Sequence, residues 1–162
     1  MSKLKLIVLM PIMKAIMNSS KIYIAEGEVP PLSQIGAALD CLAATIESRK
    51  SEGRESSYTR ILLQGKLDDL CKKVSEEAAE AGLAAKEAEM LNVYSNDEAI
   101  IDFAVDHLRY EAADIVYHLM VLLSRFNISM DEFAAELNER MTDEERPSGA
   151  ARLVEGHIKR GK

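Results

Sequence analysis

Apolar residues recur at helical spacing along most of the chain. Beyond the Pro30-Pro31 break, Ile35, Leu39, Leu42, Ala43 and Ile46 fall every three or four positions, which predicts a helix from Ser33 to Ser48. The polar run SRKSEGRESS reads as a loop. A short helix over Tyr58–Gln64 should end at Gly65, a C-terminal cap. From Lys66 to Leu91 the stripe is Leu67, Leu70, Val74, Ala78, Ala81 and Ala85. The run VYSND then reads as a loop, with Ser95 and Glu98 at the spacing of a capping box. The next helix, Asn96–Phe126, carries Ile101, Ala104, Leu108, Ala112, Ile115, Leu119 and Leu122. Asn127 suits a left-handed turn at its end. Ser129 and Glu132 form a second capping-box pattern, opening a helix to Met141. Pro147 and the glycine after it suggest a looser tail.

These elements predict an all-α fold: an antiparallel bundle of about four to five helices joined by short connections. Residues 1–31 read as an N-terminal arm, 32–146 as the domain and 147–162 as the tail. In the arm, LKLIVLMPIM is too short for a membrane span and lacks a clear cleavage site. A short strand or appended arm is preferred to a signal or transit peptide.

Composition supports the helical reading, being rich in Ala, Leu, Glu and Lys with no Trp. At 162 residues the chain is long enough for one domain with a real core. A formal charge of −7 argues against a general nucleic-acid or membrane-surface binder. Cys41 and Cys71 lack metal-ligand spacing and read as reduced core thiols, in keeping with a cytoplasmic protein.

The chemistry lies in KKVSEEAAE and YEAADIVYH. With about 100° per residue, Glu77 falls roughly 60° from the centre of its stripe, with Glu80 further round the same side. Glu76 points further from the core, and Lys73 projects between the acids. On the partner helix Glu111 and Asp114 share one side, joined by His107 and His118. Facing shoulders would bring four carboxylates together. Two unit charges 5 Å apart repel by about 3 kcal/mol at an effective dielectric of 20. A hard cation such as Mg²⁺ would reverse that cost. By spacing alone, Glu and Lys neighbours more usually form a solvated face, in which Lys72 and Lys73 pair with Glu76 and Glu77.

The ordered set SYTRILLQGKLDDLCKKVSEEAAEAGLAAK and EAADIVYHLMVLL resembles the phosphoribosyl-ATP pyrophosphatase family, within the all-α, MazG-like NTP pyrophosphohydrolases. The resemblance covers residues 32–141. The superfamily pattern EExxE then ExxD maps onto Glu76, Glu77, Glu80, Glu111 and Asp114. It implies hydrolysis of phosphoribosyl-ATP to phosphoribosyl-AMP and pyrophosphate, the second step of histidine biosynthesis. It also implies Mg²⁺ as cofactor, with Mn²⁺ as the alternative ion, held by Glu77, Glu80, Glu111 and Asp114. Glu76 and Glu77 are the catalytic acids it suggests. Lys73, Lys86, Arg109 and His118 are candidate substrate contacts. A cytoplasmic homodimer is expected. A MazG-type house-cleaning enzyme acting on free nucleotides is the alternative. Three departures stand out: Ser75 where the family usually has Gly, a longer stretch over residues 81–110, and an arm too short for a cyclohydrolase domain, which predicts a monofunctional protein.

Overall fold

A computed structural model describes residues 21–51 and 57–154. The strand-or-arm reading for residues 1–20, part of the expected loop (52–56) and the end of the tail (155–162) lie outside the described residues. The described residues hold five helices and no strand. They are α1 (Gln34–Ser51), α2 (Tyr58–Gln64), α3 (Leu67–Tyr94), α4 (Glu98–Arg125) and α5 (Met130–Asn138). The expected all-α class is borne out.

The chain forms two compact units. One contains α3, α4 as far as Leu119, and the described arm. His118 of α4 lies 3.7 Å from Glu77 of α3, and His107 of α4 lies 3.6 Å from Glu87 of α3. The later residue of α4 meets the earlier residue of α3, so the two helices run antiparallel. Lys21 straps the arm to α4 through Asp106 at 2.6 Å and Asp102 at 3.5 Å.

The connection between α3 and α4 departs from expectation. Helix α3 absorbs Val93 and Tyr94, leaving Ser95, Asn96 and Asp97. Asp97, rather than Ser95, caps α4. Its carboxylate accepts from the backbone N–H groups of Ala99 (3.0 Å) and Ile100 (3.4 Å), and its carbonyl accepts from Ile101. A carboxylate at this position satisfies free donors and also meets the positive end of the helix dipole. The Ser95 hydroxyl instead accepts from the Asp97 N–H at 3.1 Å.

The second unit holds α1, α2, the end of α4 from Met120, α5 and the C-terminal segment. Ile46, Leu62, Leu63, Met120, Val121 and Ala135 supply its buried apolar residues. Arg125 of α4 donates to the Leu62 carbonyl at 3.0 Å, and Ser124 donates to Glu47 of α1 at 3.2 Å. Asn127 takes φ 56°, as expected. Its N–H reaches the Ser124 carbonyl and the Ile128 N–H reaches Leu123, a paired closure of the Schellman type. The Ser129–Glu132 capping box is present in both directions. Gly65 does cap α2, but with extended backbone, and its N–H bonds the Ile61 carbonyl at 2.8 Å.

Three expectations fail locally. Helix α5 stops at Asn138, whose buried side chain donates to the Ala151 carbonyl at 2.9 Å. Arg146 closes the following turn by donating to the carbonyls of Asn138 (3.0 Å) and Met141 (2.9 Å). The start of the expected loose tail is therefore held in place. Cys41 and Cys71 are exposed thiols rather than core residues. They lie within helices but off the buried faces.

Candidate metal centre

The buried line of α3 is Leu70, Glu77, Ala81, Ala84 and Ala88, with Val74 half-buried. Leu70, Glu77 and Ala84 repeat at heptad spacing, as do Ala81 and Ala88, the pattern of a helix packed along one neighbour. Ala78 and Ala85, expected in the stripe, are exposed. On α4 the matching line is Ala104, Glu111 and His118, flanked by half-buried Ile101, Leu108 and Ile115; Ala112 is exposed. Glu77 and Glu111 thus belong to the seam itself rather than to its shoulder. Alanine packs equally well inside or outside a helix pair, so a stripe drawn through alanines was rotated away from the acids.

This seam gathers three carboxylates. Glu77, Glu80 and Glu111 each offer an oxygen, all within 4.8 Å of one another. Glu77 is 5% exposed and Glu111 7%, whereas Glu80 lies open at the rim. Loss of hydration, then the Glu77 and Glu111 carboxylates, push Glu80 above the usual carboxylate range. Glu111 Oε2 is buried with no hydrogen-bond partner among the described residues. A buried, unpartnered carboxylate oxygen is costly unless a cation meets it. The donor set is all carboxylate oxygen, as a hard divalent ion requires. These residues fit such an ion.

The other acids behave differently. Glu76 is held by Lys72 and Lys73, each at 3.2 Å, and these two ammonium groups draw it below the usual range. Lys73 also reaches Glu77 Oε1 at 3.4 Å, so one cation joins Glu76 to the trio. Donating hydrogen bonds to Glu76, then Glu77, holds the Lys73 ammonium above its ordinary range. Asp114, half-buried and one turn after Glu111, is not within the 4.8 Å group. Its carboxylate, followed by desolvation and Glu111, pushes the exposed Tyr110 hydroxyl upward.

Among the expected substrate contacts, Lys73 and His118 both reach Glu77 of the trio. Lys86 pairs with Glu89 at 3.4 Å and Arg109 pairs with Asp106, both on exposed surface. His118 is buried, and its Nδ1 lies 3.0 Å from the Asp114 carbonyl and 3.7 Å from Glu77 Oε1. One contact had no assigned role in the sequence: His107 Nε2 lies 3.1 Å from Glu111 Oε1. Their four-residue separation on one helix was the available signal.

A family model described as phosphoribosyl-ATP pyrophosphohydrolase matches residues 39–141, which include every residue of the seam. The phosphoribosyl-ATP pyrophosphatase of Azoarcus sp. (strain BH72) is 39% identical over 99 residues, covering 61% of this chain and 78% of the relative. That of Rhodobacter capsulatus is 42% identical over 103 residues, covering 64% and 85%. That of Listeria monocytogenes serotype 4b (strain CLIP80459) is 38% identical over 102 residues, covering 63% and 84%. No solved structure matches the chain.

Proposed function

The chain belongs to the phosphoribosyl-ATP pyrophosphohydrolase family, and from that premise we propose how its seam serves the hydrolysis of phosphoribosyl-ATP. The reaction adds water across a phosphoanhydride and yields phosphoribosyl-AMP and pyrophosphate, in histidine biosynthesis. The observation that carries the reading is the trio of Glu77, Glu80 and Glu111, drawn from two helices inside the matched region.

Glu77, Glu80 and Glu111 would hold Mg²⁺, with Mn²⁺ as an alternative ion and Asp114, one turn on and outside the 4.8 Å group, as a further candidate ligand. Held there, such an ion would supply Lewis-acid chemistry: polarisation of phosphate oxygens, a lower pKa for a bound water and charge compensation for departing pyrophosphate. The chain itself supplies position and charge. Burial fixes Glu77 and Glu111, so little ordering is left for the moment of binding. Lys73, already bridging Glu76 and Glu77, offers a cation at the trio's edge to a phosphate oxygen. Glu76, kept ionised by two lysines, can accept a hydrogen bond from the attacking water. His118, buried beside Glu77, braces the seam rather than contacting solvent-borne substrate. Lys86 and Arg109 would have to leave Glu89 and Asp106 to reach a phosphate.

No described helix is long and apolar enough to cross a membrane. The working form is a cytoplasmic homodimer, supported by family membership. The test is pyrophosphate release from phosphoribosyl-ATP, with and without Mg²⁺, alongside dUTP, dCTP and ATP. Mg²⁺-dependent cleavage of phosphoribosyl-ATP is expected. Cleavage of the free nucleotides alone would overturn the substrate reading in favour of the MazG-type alternative.

A further inference from the structure

We propose that His107 is a positioning residue, anchoring one oxygen of Glu111 so that the other is presented to the cation. The inference rests on the reading of the trio as a metal centre. His107 Nε2 lies 3.1 Å from Glu111 Oε1, and His107 Nδ1 lies 3.6 Å from Glu87 Oε2 on the opposite helix. The imidazole therefore stands between a carboxylate of α3 and one of α4. Glu111 is buried, and its Oε2 has no hydrogen-bond partner among the described residues. With Oε1 engaged, a turn of the carboxylate away from Glu77 and Glu80 would break the imidazole contact. Outer partners of ligating carboxylates act in this way, fixing orientation and raising metal affinity. His107 is half-exposed and lies on the first side of Glu111, outside the trio. It acts through Glu111 and does not itself touch the proposed ion.

The test uses the full chain and Mn²⁺ alone as probe, followed by electron paramagnetic resonance of the free ion. Gln places its amide nitrogen near imidazole Nε2, whereas Asn places it near Nδ1. His107→Ala and His107→Asn should each weaken Mn²⁺ binding by about 10- to 100-fold. His107→Gln should restore most of the affinity. Circular dichroism and melting of the metal-free proteins should change little, separating positioning from a merely structural role. Mn²⁺ affinity unchanged in His107→Asn, or lost equally in His107→Gln, overturns the inference while leaving the metal centre standing. Failure of the unsubstituted protein to bind Mn²⁺ overturns both.

Discussion

Glu77 and Glu111 stand on different helices, are each more than nine-tenths buried, and offer oxygens to the same 4.8 Å cluster. Two such carboxylates in one seam repel when both are charged, a cost that a cation between them would offset. Glu111→Gln keeps the shape and removes the charge. It should lower pyrophosphate release by at least about 100-fold, because several kcal/mol of charge stabilisation are lost and about 1.4 kcal/mol is tenfold in rate. The helical circular dichroism signal should persist. Wild-type turnover in this variant would remove Glu111 from the centre.

Glu80 gives the opposite sign for stability. Its pKa is raised in the metal-free fold, so its ionised form is disfavoured there relative to the unfolded chain. The resulting instability is present above the folded pKa and fades as pH falls through the carboxylate range. Glu80→Gln should therefore melt higher than the unsubstituted protein at neutral pH in chelator, with the difference shrinking in acid. The same variant should lose the rise in melting temperature that Mg²⁺ at the proposed centre would give the unsubstituted protein. A lower neutral melting point for Glu80→Gln would contradict this account.

The cations can be ranked. Lys73→Ala should reduce kcat/KM by about 10- to 100-fold, the scale of one lost hydrogen bond between charged groups. Lys86→Ala and Arg109→Ala should each cost less, since those side chains are engaged with Glu89 and Asp106. Steady-state kinetics on phosphoribosyl-ATP decides the order, and a smaller loss for Lys73→Ala would reverse the ranking.

Gly65 offers a test in the other unit. A Cβ there would stand 2.6 Å from the Ile61 carbonyl oxygen, a backbone atom that cannot swing aside. Gly65→Ala should destabilise the fold by about 1–3 kcal/mol, the usual cost of a forced shift in a packed site. Urea denaturation measures it. Unchanged stability would mean that the α2 terminus relaxes freely.

The contrast between what was legible and what was not follows from range. The Ser129 box, the Asn127 turn and helix α2 depend on neighbours in sequence, and each was readable. The acids were readable as a group because EExxE and ExxD keep them on adjacent turns. Their angle was not, because Ala78, Ala85 and Ala112 look as apolar as Ala81, Ala84 and Ala104, and only the partner helix decides between them. The cap of α4 differs for a related reason: Ser95 and Asp97 are both capping residues, and while Ser95 takes the Asp97 N–H, the Asp97 carboxylate takes the first donors of the helix, from Ala99 and Ile100. Cys41 and Cys71 show the same ambiguity, since small side chains are tolerated on either face.

The connector between α3 and α4 carries a consequence of its own. Ser95, Asn96 and Asp97 are all that separates the two long helices. Inserting one residue into the start of α4 would turn everything beyond it by about 100°. Glu111 would then leave the seam although no acid had been changed. Helix register at this corner thus governs the proposed centre, and an insertion at the start of α4 should behave as a lesion of that centre far from its carboxylates.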